Sequence, residues 1–135
     1  MAAADVSGEA RGVVTRLSGA TFTDTLSRLV AAIEGQGLRV FDVIDHEAAA
    51  LDVGLDLRPT RVVIFGSPLA GTPLMVDHPL LALELPLRIL VWESEDHQVW
   101  LSYLEPRALA AQFGVSPDVA GPLTGPSMII ERALA

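Results

Sequence analysis

The chain has 135 residues, half of them hydrophobic, and 17 acidic against 9 basic side chains leave a net charge of −8. Cysteine, lysine and asparagine are missing altogether, which excludes disulfides, thiolate nucleophiles, zinc-finger sites, Schiff-base catalysis and a P-loop lysine. The arginines stand singly along the chain, so there is no basic face to bind nucleic acid through phosphate contacts.

A chain of this length amounts to one domain and buries roughly two thirds of its unfolded surface. Its mean hydropathy of +0.43 is high, and apolar surface left over implies a homodimer interface or a small-molecule pocket. The surplus does not form a membrane span. The longest charge-free stretch, Val62 to Val76, contains Gly66, Pro68, Gly71 and Pro73, and turn residues at that density do not build an apolar helix of roughly 20 residues. Residues 1–10 lack a basic region and carry Asp5 and Glu9. They read as a disordered tail rather than a secretory signal, with 11–135 as a single domain in a cytoplasmic protein.

Arg11–Leu17 is a β-branched run and the first expected strand. Thr21 and Asp24 form a capping box, after which Phe22, Leu26, Leu29, Val30 and Ile33 line one face of a helix that Gly35 and Gly37 stop. Leu38–Ile44 reads as a strand, Glu47–Val53 as an alanine-rich helix and Arg61–Phe65 as a central strand. Thr72-Pro73 has the form of an N-cap followed by N1, predicting a short helix to about Val76 and another turn from Pro79. Leu87–Glu93 and Gln98–Leu104 form a hairpin about Ser94–His97. Arg107–Phe113 is helical behind Pro106, and Met128–Leu134 gives a last helical turn or two. Strands alternating with helices suggest βαβ units and a parallel sheet, but the final hairpin makes the sheet at least mixed.

From the second strand onward the punctuation forms a set. It runs Ile44-Asp45-His46, Gly54, Pro59-Thr60, Phe65-Gly66-x-Pro68, Gly71-Thr72-x-Leu74-Met75, and then the unbroken string from Pro79 to Glu93. Over about residues 12–113 this resembles the bacterial and archaeal domain of unknown function 302. Ser67 stands where the family pattern has asparagine, and Glu84 where it has aspartate. The resemblance implies an α+β domain with an antiparallel sheet of about five strands and helices packed on one face, of the TATA-binding-protein-like type and commonly dimeric. It implies no activity.

Five residues are candidates for a ligand pocket: His46, Gly71, Thr72, Glu93 and Tyr103. His46 closes a strand, where functional side chains collect, and Asp45 beside it could set its tautomer. It could equally cap the helix that follows. The turn from Gly66 to Thr72 offers backbone amides and a helix N-terminus to an anion, or is simply a tight turn with Thr72 as its cap. Glu93 and Tyr103 lie on opposed strands with Trp92 and Trp100 between them, which suggests a polar patch beside aromatic walls. No metal and no cofactor are expected. His46 and His78 would have to meet Glu84 or Glu93 from separate elements, and no two histidines have local ligand spacing. Three functions fit: a dimeric ligand-binding or accessory domain, an enzyme with His46 as general base assisted by Glu93 or Tyr103, and a dimerisation module without ligand.

Overall fold

Side chains on a strand alternate between faces, and that alternation organises this molecule. The computed structural model describes residues 12–123 and 125–135, so the tail expected over 1–10 lies outside the described residues. The strands are β1 (Val13–Ser18), β2 (Arg39–Asp45), β3 (Thr60–Gly66), β4 (Leu87–Glu93) and β5 (Val99–Leu104). They form one sheet in the order β1-β5-β4-β3-β2, and all four pairings are antiparallel. The antiparallel α+β sheet implied by the family resemblance is thereby borne out over the parallel arrangement that alternation alone suggested. Helices between strands do not distinguish a crossover to a parallel neighbour from a return to an antiparallel one.

Because β1 and β2 are the two edges, helix α1 (Phe22–Gly35) must carry the chain across the whole sheet. Its 14 residues span about 21 Å at 1.5 Å per residue, close to the roughly 19 Å width of five strands. The expected cap forms, with Thr21 Oγ1 accepting from the Asp24 amide at 3.1 Å. At the other end, Gly37 takes φ +75 while the Leu38 amide returns to the Ile33 carbonyl at 3.3 Å. Leu29 and Ile33 are wholly buried against Val63, Phe65, Ile89, Val91 and Leu101, and Ile129 and Ile130 of α5 (Gly125–Leu134) complete this core. A buried bond of 2.6 Å between the Ser18 and Thr25 hydroxyls ties β1 to the first turn of α1.

A second core gathers at the end of the sheet where β3 finishes and β4 begins. Leu74 of α3 (Pro68–Asp77), Leu81 of the 3-10 turn Pro79–Leu83 and Leu109 and Ala110 of α4 (Pro106–Gln112) meet Val115, Ala120 and Leu123 there. Leu87 packs against both cores and makes them continuous. Gly12 has φ +75, and a Cβ on it would come within 2.8 Å of Ala108 Cβ. Only glycine lets the start of β1 lie so close to α4.

The other face of the sheet carries no helix of the main core; only its Leu104 corner packs against the second core. Registers place Ile44, Val62, Leu90, Ser102 and Thr15 in one row across it, and Thr60, Trp92, Trp100 and Leu17 in the row toward the hairpin. Asp42, Ile64, Arg88, Leu104 and Val13 form the third. Apart from Ser102 these residues are half-buried or exposed. The tryptophans stack at 6.3 Å between ring centroids.

Candidate functional site

A cavity of about 500 Å³ lies between the end of β3, helix α3 and the start of α5. Phe65, Leu74 and Leu123 line its interior and are almost wholly buried. Phe41, Met75 and Met128 stand around it with Leu85 and Pro86, the Leu85–Pro86 bond being cis. Glycines 66, 71, 121 and 125 also line the cavity, which leaves room where side chains would otherwise project. Among the described residues, no charged one lines the cavity.

Local sequence accounts for this arrangement. β2 contains an irregularity between Val40 and Asp42, and the residue it sets apart, Phe41, reaches the cavity and approaches the Gly66 backbone. Helix α3 starts earlier than the Thr72-Pro73 signature predicts. Ser67 is its N-cap, accepting from the Ala70 amide at 3.2 Å, and Pro68 occupies the first position. Two cap signatures compete five residues apart, and the earlier wins. Pro73, inside the helix, removes only the bond to the Leu69 carbonyl, at a residue 88% exposed, where water can replace it.

That correction changes what the glycine-containing segment can bind. Gly71 and Thr72 lie in the second turn of α3, and both line the cavity. The Gly71 amide is committed to the Ser67 carbonyl at 2.8 Å, Ala70 to the Ser67 hydroxyl, and Pro68 has no amide hydrogen. With no cation in the wall, little remains for an anion. The cavity suits an uncharged, carbon-rich molecule, held by shape and dispersion.

The other three candidates lie elsewhere. His46 is the exposed first residue of α2 (His46–Asp52), at the far end of β2 from Phe41. Asp45 does not orient it. The Asp45 carboxylate accepts from the Ala48 amide at 2.9 Å as the cap of α2 and pairs with Arg61 at 3.0 Å. Arg61 also stacks its guanidinium 5.1 Å from the Phe22 ring centre, so this cluster braces α2 and α1 against β3. Glu93 pairs with His97 Nδ1 at 3.1 Å across the hairpin turn. Its strand partner is Val99, and Tyr103 lies four residues further along β5, about 13 Å at the usual rise. Tyr103 is buried, and loss of solvent raises its phenol above the ordinary 10.0. The expected grouping of His46, Gly71, Thr72, Glu93 and Tyr103 in one pocket is therefore corrected: the fold brings Gly71 and Thr72 to the cavity and distributes the rest. Period-two alternation sends Glu93 and Tyr103 to the same face but does not make them neighbours.

Sequence reasoning missed Phe41, Met75 and Met128 as cavity residues. A signal existed for the first: Val40-Phe41 interrupts the alternation of its strand, as a bulge does. Met128 had none, because it approaches from a helix more than forty residues further on. Among the described residues no group of three or more His, Cys, Asp or Glu is placed to hold a metal. Nor is any helix there long and apolar enough to cross a membrane.

Comparison with known proteins sets this geometry in context. The family model described as "Domain of unknown function DUF302" matches residues 14–125. A crystal structure of an uncharacterized conserved protein DUF302 from Bacillus stearothermophilus superposes with a TM-score of 0.78 at 16% identity, covering 93% of this chain and 97% of that one. Two curated relatives, from Brucella suis and Brucella abortus, are named fluoride-specific ion channel FluC 1. Each is 41% identical over 111 residues, or 81% of this chain. The chain spans only 44% and 41% of their respective lengths.

Proposed function

This chain belongs to the DUF302 family, and from that premise we propose that it is a homodimeric ligand-binding domain that takes up a small, uncharged apolar molecule between β3 and α3. One observation carries the reading: a cavity of about 500 Å³ with no charged residue in its wall among the described residues. Its size falls in the range of roughly 300–1,000 Å³ typical of small-molecule sites. A space so lined gains little from water, and filling it with carbon recovers dispersion contacts and the hydrophobic term together. The enzyme reading lacks comparable support, because the groups named for it, His46, Glu93 and Tyr103, sit in separate places.

Titration with the uncharged fluorophore N-phenyl-1-naphthylamine tests the proposal. Saturable enhancement is expected for the native protein and none for Gly71→Leu, whose side chain would enter the cavity. A Cβ at Gly71 meets nothing nearer than Leu85 Cδ1 at 3.8 Å, so the variant should fold. Equal probe binding by the two proteins would reject this cavity as the site.

The curated relatives favour a second reading of what the domain serves. Identity of 41% over 111 residues with proteins named as fluoride channels supports an accessory role beside such a channel. Since no described helix can span a membrane, conduction would belong to other polypeptide. Disrupting the gene should then lower fluoride tolerance of the host. Unchanged tolerance would remove this reading and leave the ligand-binding one intact.

A further inference from the structure

We propose that the helix-free face of the sheet is where two copies of this chain meet. The inference rests on the homodimer reading above and adds the location of the interface. Three properties of the face point to a second copy.

The first is area. Five strands of six or seven residues present about 500 Å² in projection at the usual strand spacing and rise. Two such faces therefore bury on the order of 1,000 Å², the lower bound for a specific interface. Second, the polar groups within the face are already satisfied from inside. Trp92 Nε1 donates to Ser102 Oγ at 3.0 Å, Trp100 Nε1 donates to Ser94 Oγ at 3.2 Å, and the Thr15 and Ser102 hydroxyls lie 2.9 Å apart. Covering them leaves no indole or hydroxyl stranded, so desolvation of the face costs little.

The third property is charge. Asp42 and Arg88 are the charged side chains of the three rows, and they flank Ile64 from the strands on either side of β3; Arg88 also pairs with Glu84 of its own chain and stays half exposed. A two-fold axis along β3 sets Arg88 of each copy over Asp42 of the other. The face is thus complementary to itself, as an isologous contact requires. An apolar stripe on the outside of α3, through Leu69 and Val76, is the competing surface, but it carries no such charge pattern.

Sedimentation equilibrium on the full chain and four variants is the test. The native protein should be a dimer, Leu90→Glu should weaken association by about 30-fold or more, and Leu69→Asp should leave it unchanged. Asp42→Arg and Arg88→Asp should each weaken it by about tenfold, with recovery when the two are combined. Far-ultraviolet circular dichroism, which does not depend on the tryptophans of the face, reports folding. Should Leu90→Glu lose that signal, the charge-reversal set decides instead, because Asp42 and Arg88 are exposed. A native monomer would reject both the homodimer and this face. A native dimer that survives Leu90→Glu and both charge reversals, or that is lost with Leu69→Asp, would keep the homodimer and overturn the face.

Discussion

His97 and Tyr103 show how far single residues depend on context. His97 has φ 63, the left-handed region that costs a β-carbon-bearing residue about 1 kcal/mol. It closes the hairpin, donating its amide to the Ser94 carbonyl at 2.9 Å, at a turn position that favours glycine. Its hydrogen bond with Glu93 offsets little, because the imidazole side chain is 76% exposed. His97→Gly is therefore expected to stabilise the protein by roughly 0.5–1 kcal/mol, and a lowered thermal midpoint would contradict this. Tyr103 is the chain's sole tyrosine, so phenolate absorbance reports it directly. Burial lifts its folded value above 10.0, opposed in part by Arg16. A raised value means that the neutral phenol is favoured by folding. The associated stability is complete below pH 10 and declines as pH climbs through the folded value. Titration of the folded protein should give a midpoint above 10.0, and Tyr103→Phe should flatten the alkaline loss of stability. A midpoint at or below 10.0 would show the phenol to be solvated.

Elements were legible where local chemistry and burial agree. The N-cap at Thr21, the apolar face through Leu29 and Ile33 and the stop at Gly37 define α1 in the sequence, and the structure uses each of them. Ile33 is wholly buried in the main core. Ile33→Ala should cost about 2–5 kcal/mol, read from the denaturant midpoint at unchanged slope; a loss below about 1 kcal/mol would mean that the core closes over the gap. Legibility fails at α3. Ser67-Pro68 and Thr72-Pro73 are equivalent cap signatures, and propensity cannot rank them. The choice falls to tertiary contact, since starting at Pro68 points Leu74 into the second core and turns Gly71 toward the cavity. In β2, reading an unbroken strand hid the displacement of Phe41.

At the scale of the whole molecule, the two sides of one sheet divide the work. One side takes α1 and α5 and becomes the core, while the second core at its end encloses the cavity. If the cavity binds, ligand and fold are linked, and a ligand at one hundred times its Kd adds about 2.7 kcal/mol of stability. N-phenyl-1-naphthylamine should accordingly raise the thermal midpoint of the native protein and leave that of Gly71→Leu unmoved. An identical rise in both would place the probe outside the cavity. The sequence by itself determined the extent of most elements, the absence of lysine and thiol chemistry, and the family, through the string from Ile44 to Glu93. All of these depend on residues close together along the chain, where periodicity, caps and turn chemistry act. Strand order, the pairing of both edges with non-sequential or bulged neighbours, and the company kept by His46, Gly71, Thr72, Glu93 and Tyr103 were decided only in three dimensions. A period of two assigns a side chain to a face, but which strand lies beside it depends on the packing of the whole sheet.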